Sequence, residues 1–368
     1  MRKGSGAECV LLLRGLNRRG AVVYSLPYMK RLVKFLSTPA GSRYALGAVF
    51  VLGLGAGVLL SHTTTSGPDF SLTLDSDTPY TFIKPLIGVT TPKSYGEGML
   101  AQLRTSVART ASQVPAGALI RYSYYFRDLT TGAWTGINES DQYDPASLLK
   151  IVVAVAAYKQ EEKTPGYLAR RLSYTQNLAD INAAFPFAPK VALSVGESYS
   201  VPFLLKKMLS DSDNAAKDLL LSSIDQNVID KVYLDLSIPK PNDTNSAGYT
   251  ISPQDYSRFL RVIYYGMYDL SWQNSNELLR LLTDATFTSG LVAGVPDSVH
   301  VAHKYGEHII GSGDIVNGVE LSDCGIVYHL RHPYLVCVMT EGKDPLQLAN
   351  FIARVSHATY AAVDADYR

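Results

Sequence analysis

The chain has 368 residues, of which 46% are hydrophobic and 18% are charged, so it can bury the core of one sizeable domain and carry an extension. Its formal net charge is +1, from 34 Lys and Arg against 33 Asp and Glu. This balance gives no global field of the kind that draws a protein to nucleic acid. The composition therefore excludes disordered, fibrous and polyanion-binding proteins.

Basic residues dominate positions 1–43, and an uncharged apolar stretch follows at 44–60. Its 17 residues (60 − 44 + 1) are at the lower limit for crossing a hydrocarbon core of about 30 Å. The positive-inside rule places residues 1–43 in the cytoplasm, so we expect a single-pass anchor in the cell membrane with the following part of the chain outside, periplasmic or extracellular. A cleaved signal peptide is the alternative, but no small-residue cleavage site follows Leu60. Translation from Met1 or from Met29 stays open.

Residues 61–95 are rich in Thr, Ser, Pro and Asp, which predicts an extracytoplasmic linker before a globular domain at 96–368. The periodicities predict strands and helices in this order: a helix at 99–112, a hairpin at 119–129 and 133–137, a helical middle at 146–282, strands at 299–310, 319–330 and 334–339, and a helix at 346–362. Asn317-Gly318 is the expected turn between the first two late strands. We therefore predict an α+β fold, with an antiparallel sheet flanked by helices and an inserted all-helical subdomain.

Ser147 and Lys150 stand at the start of a predicted helix that is apolar nearly all round, and hence buried. Asp144 suits an N-cap and Pro145 the first helical position. Residues three apart share a helix face, so the Lys150 amine is expected beside the Ser147 hydroxyl. A buried lysine with a lowered pKa can take the serine proton. A chance Ser and Lys at a helix start is the alternative.

Two further segments carry polar groups that could serve the same chemistry. In Ser212-Asp213-Asn214 a hydroxyl and an amide could relay a proton and hold a substrate amide, although helix capping is the favoured interpretation of this segment taken alone. In Lys304-Tyr305-Gly306 strand alternation places Lys304 and Gly306 on one face and Tyr305 on the other. A glycine there lets a substrate lie against the strand.

S-x-x-K, S-D-N and K-x-G in this order resemble the class A β-lactamases and penicillin-binding proteins. The resemblance covers about Met99 to the C-terminus. It also includes Arg127-Asp128-Leu129 with Gly132, and Ser252-Pro253-Gln254-Asp255 at the start of a helix. It implies the following roles: Ser147 as the acylated nucleophile, Lys150 as its base, Ser212 as proton shuttle, Asn214 as ligand of the substrate amide, Lys304, Tyr305 and Gly306 in substrate binding, and the backbone N–H groups of Ser147 and Glu307 as oxyanion hole.

The sequence departs from this family at two places. Class A β-lactamases use a loop glutamate to activate the deacylating water, but no glutamate lies between Asn214 and Asn276. Asp243 with Asn245 is the local carboxylate and amide pair that could substitute, and a turn is the other interpretation of that segment. Tyr305 occupies a position where the family has Thr or Ser, so the pocket is expected to differ in shape.

The remaining candidate groups do not indicate a cofactor. Cys324 and Cys337 could form a disulfide or remain two buried thiols. The histidines at 300, 303 and 308 lack a metal-ligand spacing, so we expect no metal and no cofactor. The expected partners are a small-molecule β-lactam or a peptidoglycan stem peptide, together with the membrane, and no nucleic acid. A non-catalytic or acylation-only sensor domain of the same fold is the alternative function.

Overall fold

The computed structural model describes residues 71–75, 77–90, 97–175, 187, 191–241, 248–268, 270–312 and 315–366. The predicted cytoplasmic segment 1–43 and the predicted anchor 44–60 lie outside these ranges. Within the described ranges, no helix combines the length and the apolar character needed to cross a membrane. The anchor therefore stays a prediction.

The described elements alternate between a sheet and a helical block. The strands are β1 (Ser71–Leu74), β2 (Leu86–Thr90), β3 (Leu119–Asp128), β4 (Trp134–Ile137), β5 (Arg171–Ser173), β6 (Ser198–Ser200), β7 (Val301–Ser312), β8 (Ile315–Val327) and β9 (Tyr334–Gly342). The helices are α1 (Glu97–Ser112), α2 (Lys150–Lys163), α3 (Val201–Ser210), α4 (Asn214–Leu221), α5 (Gln226–Asp235), α6 (Pro253–Tyr264), α7 (Trp272–Thr283) and α8 (Pro345–Asp366). Short 3-10 turns span Ala146–Leu149 and Leu291–Gly294.

The main sheet has five antiparallel strands in the order β4-β3-β9-β8-β7. Its edges are the early strand β4 and the late strand β7. Alternate residues face opposite layers: Tyr125 and Met339 pack toward the helical block, whereas Tyr124 and Val338 pack under α1 and α8. This arrangement confirms the α+β sheet-and-helix prediction.

Helix α2 lies at the centre of the helical block. Each of its first nine positions, from Lys150 to Tyr158, is buried. The nearly all-round apolar sequence explains this, because such a helix needs apolar neighbours on every side. One consequence is that the Lys150 amine enters the protein interior with the helix.

The predicted turn at Asn317-Gly318 is wrong. Strand β7 continues to Ser312 and β8 begins at Ile315, so Asn317 and Gly318 lie inside β8 and not between the two strands. Gly318 pairs with Ile310 and Val316 pairs with Gly311, which leaves Asn317 as an extra residue at a register shift. The Asn-Gly pair therefore lies in a β-bulge, where an extra residue is accommodated between paired strands.

Part of the predicted linker is folded. Strands β1 and β2 pair, and the N–H groups of Lys84 and Leu86 donate to the carbonyls of Tyr264 and Tyr265 at the end of α6. Ile83 is fully buried. The structure therefore differs from the sequence prediction within residues 71–90, because backbone hydrogen bonds and apolar side chains packed on the helical block hold a segment whose composition is that of a spacer.

Cys324 and Cys337 are joined in a disulfide between β8 and β9. They are direct partners in the register of the two strands, and both are fully buried. This resolves the two possibilities that the sequence leaves open.

Candidate active site

Ser147 lies in the 3-10 turn that leads into α2. Asp144 Oδ1 accepts a hydrogen bond from the Ala146 N–H (2.8 Å), but the N-cap of the turn is Pro145, so the predicted helix start, with Asp144 as N-cap and Pro145 as first helical residue, is one residue too early. Ala146 has φ +45°, a left-handed conformation that costs a non-glycine residue about 1–3 kcal/mol and persists only where neighbours hold it. Ser147 is half-buried, so a substrate can reach its hydroxyl.

An ion-pair network holds the segment before Ser147. The Asp144 N–H donates to Glu320 Oε2 (2.8 Å), and Glu320 Oε1 pairs with Arg121 Nη2 (2.6 Å). Arg121 also donates to the Gln142 carbonyl (2.8 Å). Sequence reasoning missed these residues, because the carboxylate and the guanidinium come from two strands, β8 and β3, far apart in the chain.

The Lys150 amine is the centre of the site. Nζ lies 2.8 Å from Ser147 Oγ, 2.6 Å from the Ser212 carbonyl oxygen, 2.7 Å from Asn214 Oδ1 and 3.2 Å from Ser212 Oγ. Burial, reinforced by the positive charges of Lys304 and Lys217, lowers the pKa of Lys150 well below its ordinary value. The amine is therefore biased toward its neutral form.

A neutral amine fits these contacts. It has two N–H bonds and one lone pair, and the Ser212 carbonyl and Asn214 Oδ1 are pure acceptors for the two donors. The lone pair is then free to accept the Ser147 hydroxyl proton. This arrangement can deprotonate Ser147, and the start of α2 favours the negative charge that develops on it.

The Ser212-Asp213-Asn214 segment both caps a helix and enters the site. Asp213 accepts from the Ala216 N–H (2.8 Å) at the start of α4, so the capping interpretation holds for Asp213. Ser212, at φ +59°, and Asn214 instead direct polar atoms to Lys150. The two interpretations of this segment therefore apply to different residues.

Lys304, on strand β7, contacts the Ser212 hydroxyl. Its Nζ donates to Ser212 Oγ (2.9 Å) and to the Tyr305 carbonyl (3.0 Å). Burial lowers the pKa of Lys304 to about 7, and the nearby Asp323 carboxylate opposes that effect. Ser212 Oγ thus lies between two amines whose pKa values burial lowers, and its hydroxyl can relay a proton between them.

Gly306 brings β7 against the turn that carries Ser147. A Cβ at this position would lie 2.5 Å from the Pro145 carbonyl oxygen and 3.2 Å from Leu148 N. Any side chain would therefore separate the edge strand from the nucleophile. The close approach suits the predicted oxyanion hole, in which the N–H groups of Ser147 and of the next strand residue, Glu307, would face one substrate oxygen.

Tyr305 packs in an aromatic cluster beside the site. Its ring stacks on Phe287 at 4.3 Å and lies 4.2 Å from Lys304 Nζ, and its hydroxyl donates to the Phe187 carbonyl (2.7 Å). Burial raises the pKa of the Tyr305 phenol, and the adjacent Ser212 hydroxyl opposes this. Sequence reasoning identified Tyr305 as unusual but missed the two phenylalanines, which carry no local signal.

The histidines do not form a metal site within the described ranges, where no group of three His, Cys, Asp or Glu side chains could hold an ion. His303 Nδ1 instead lies 2.7 Å from Asp323 Oδ1, with both side chains buried. Asp243 and Asn245 fall outside the described residues, so their suggested role is untested.

A model described as the beta-lactamase enzyme family matches residues 103–363. Among solved structures, PBP-A is 21% identical, covers 72% of this chain and 97% of its own, and has a TM-score of 0.58. A class A beta-lactamase from Mycobacterium abscessus is 21% identical over 71% of this chain and 99% of its own, with a TM-score of 0.59. A beta-lactamase from Sphaerobacter thermophilus is 19% identical over 71% and 98%, also at 0.59. No curated protein matches the chain significantly.

Proposed function

Because the chain belongs to the beta-lactamase enzyme family, we propose that it is an extracytoplasmic serine hydrolase acylated at Ser147, working on a β-lactam or on a D-alanyl peptide amide. The observation that carries the proposal is the 2.8 Å contact between Ser147 Oγ and the buried Lys150 amine. A neutral amine at this distance is a general base for the serine hydroxyl.

The residues around Ser147 can supply the steps of acylation. Lys150 Nζ takes the Ser147 proton while Ser147 Oγ bonds to the acyl carbon and the C–N bond breaks. The leaving nitrogen receives a proton from Ser212 Oγ, and Lys150 Nζ, which took the Ser147 proton, returns one to Ser212 Oγ, which Lys304 also contacts. Asn214 would bind the substrate amide, and the backbone N–H groups of Ser147 and Glu307 would hold the oxyanion.

Release of the acyl group is expected to be slow. Within the described residues, the Lys150 amine contacts hydroxyl, carbonyl and amide oxygens. The sequence from Asn214 to Asn276 contains no glutamate that could activate a water to attack the acyl group. A variant of PBP-A has been solved as an acyl-enzyme complex with penicillin G, so a protein of this fold can hold such an intermediate. An acylation-only sensor is therefore the second candidate function.

The test is the intact mass of the purified chain over time after mixing with benzylpenicillin or with its carboxamide, using Ser147→Ala as control. We expect an adduct of one acyl group that is absent in Ser147→Ala. Once formed, this adduct should be lost more slowly than it forms. Rapid loss of the adduct with release of hydrolysed drug would mean that another base activates water. Absence of an adduct with both compounds would contradict the proposed function.

A further inference from the structure

The two backbone donors of the proposed oxyanion hole belong to separate elements. The Ser147 N–H is part of the 3-10 turn before α2, and the Glu307 N–H is part of β7. Strand β7 pairs with β8 at the edge of the sheet, so its sheet hydrogen bonds fix it to β8 and not to the turn. Other contacts must therefore set the distance between the two donors.

The Asp144 carboxylate contacts the chain beside both donors. Its Oδ1 accepts from the Ala146 N–H (2.8 Å), and Ala146 directly precedes Ser147. Its Oδ2 lies 3.5 Å from His308 Nδ1, and His308 directly follows Glu307. One carboxylate thus connects the turn that carries the first donor with the strand that carries the second.

Glu320 fixes the position of Asp144. It is the direct partner of His308 in the pairing of β8 with β7, so the two side chains lie on the same face of the sheet. Glu320 Oε2 accepts from the Asp144 N–H (2.8 Å), and Glu320 Oε1 pairs with Arg121 Nη2 (2.6 Å). Asp144 is therefore anchored to β8, the same strand that holds β7.

The backbone of Ala146 requires such an anchor. Its φ of +45° is unfavourable for alanine and persists only where the surroundings hold it. The Ala146–Ser147 peptide carries the Ser147 N–H, so relaxation of Ala146 would turn that donor away from the substrate oxygen. Gly306 permits the close approach of β7 to the turn, but the absence of a side chain cannot hold the two together. The contacts of Asp144 can.

Building on the proposed function, we infer that Asp144 is a positioning residue for acylation, held by Glu320 and linked to β7 through His308. Its role is to keep the N–H groups of Ser147 and Glu307 directed at one substrate oxygen. Donors fixed before the reaction stabilise the oxyanion without reorganisation. Loosening them therefore slows acylation and leaves binding of the unreacted substrate nearly unchanged.

Two substitutions of Asp144 test this role. Asp144→Ala removes the carboxylate, whereas Asp144→Asn keeps an oxygen that can accept from the Ala146 N–H. The probe is whichever of benzylpenicillin and its carboxamide labels Ser147 faster in the original full-length chain. The dependence of labelling rate on probe concentration gives the acylation rate constant and the dissociation constant of the preceding non-covalent complex.

We expect Asp144→Ala to lower the acylation rate constant by about 10²-fold and to leave the dissociation constant within about threefold. Asp144→Asn should retain at least about a tenth of the original rate constant, because the contact with Ala146 survives. Asp141→Ala, which removes an exposed carboxylate from the same segment, is the matched control and should change neither constant.

His308→Ala tests the link to β7. The His308 side chain is 43% exposed, so its removal should leave the fold intact even if Asp144→Ala does not fold. We expect the acylation rate constant to fall by about tenfold. Because both residues act through one contact, the double variant should acylate within about threefold of Asp144→Ala alone. A double variant whose loss equals the product of the two single losses overturns the link.

The carbonyl stretching band of the acyl-enzyme reports the oxyanion hole directly, because hydrogen bonds to the carbonyl oxygen lower its wavenumber. Infrared difference spectra are recorded with the probe carrying ¹³C at the reacting carbonyl. We expect the ester band of Asp144→Ala and of His308→Ala at a higher wavenumber than in the original chain. A substitution that only lowers stability would leave the band of the folded acyl-enzyme in place.

The outcomes separate this inference from the proposed function. Folded Asp144→Ala and His308→Ala variants with unchanged acylation rate constants, or slower variants with an unshifted ester band, overturn the inference while acylation itself stands. Failure of the original chain to be labelled at Ser147 by both compounds overturns the proposed function instead.

Discussion

Replacing Lys150 by methionine removes the base next to Ser147 and keeps an unbranched side chain of similar volume in the core. The Lys150 amine is 2.8 Å from Ser147 Oγ, so its loss removes general-base assistance worth about 10²–10⁴-fold in rate. That range corresponds to about 2.7–5.5 kcal/mol of transition-state stabilisation. We expect the rate constant for acylation of Ser147, followed by intact mass, to fall by this amount.

The effect of this substitution on folding is expected to be smaller. The Ser212 carbonyl and Asn214 Oδ1 lose their donor, at a cost of about 1–3 kcal/mol each if water does not replace it. The variant in turn avoids the desolvation of an amine. Lys163→Met, at the exposed end of the same helix, is the control and should acylate normally. A Lys150→Met variant that keeps its fold and acylates within about threefold of the original chain would refute the role of Lys150.

Three other changes test the packing of the site and of the sheet. Gly306→Ala places a Cβ 2.5 Å from the Pro145 carbonyl oxygen, so we expect an acylation rate at least about 10²-fold lower with a retained circular dichroism spectrum; an unchanged rate would contradict the close approach. Replacing Cys324 and Cys337 together by alanine should lower the free energy of unfolding in urea by about 2–4 kcal/mol, and an unchanged midpoint would count against the disulfide. Burial lowers the pKa of Lys304 from 10.5 to about 7, so the unfolded chain binds the extra proton between these values and stability should rise with pH across that window, by at most about 1.4 kcal/mol per pH unit. Lys304→Met should flatten the rise of the melting temperature with pH. Parallel curves of melting temperature against pH for the variant and the original chain would contradict the lowered pKa of Lys304.

The local motifs could be predicted because each depends on short-range rules. The three-residue spacing in a buried helix places Lys150 beside Ser147, and the strand period places Lys304 and Gly306 on one face. Strands at both ends of the domain, with helices between them, predict the α+β class. These features need no knowledge of long-range packing.

The features that the sequence could not reveal depend on register and on distant contacts. Pairing of Cys324 with Cys337 requires β8 and β9 to align, and a slip by one residue would separate them. Phe287 meets Tyr305 through tertiary packing and carries no signal of its own. The bulge at Asn317 shows the same limit, because β7 and β8 remain paired through a dipeptide that by itself favours a turn.

The most direct test of the account is to locate the adduct by peptide mapping after the purified chain reacts with benzylpenicillin or its carboxamide. We expect the acyl group on the peptide containing Ser147, with fragments that place it on that residue, and we expect Lys150→Met to reduce its yield in proportion to the acylation rate. An adduct on another residue, or equal labelling of Ser147 in the Lys150→Met variant, would contradict it.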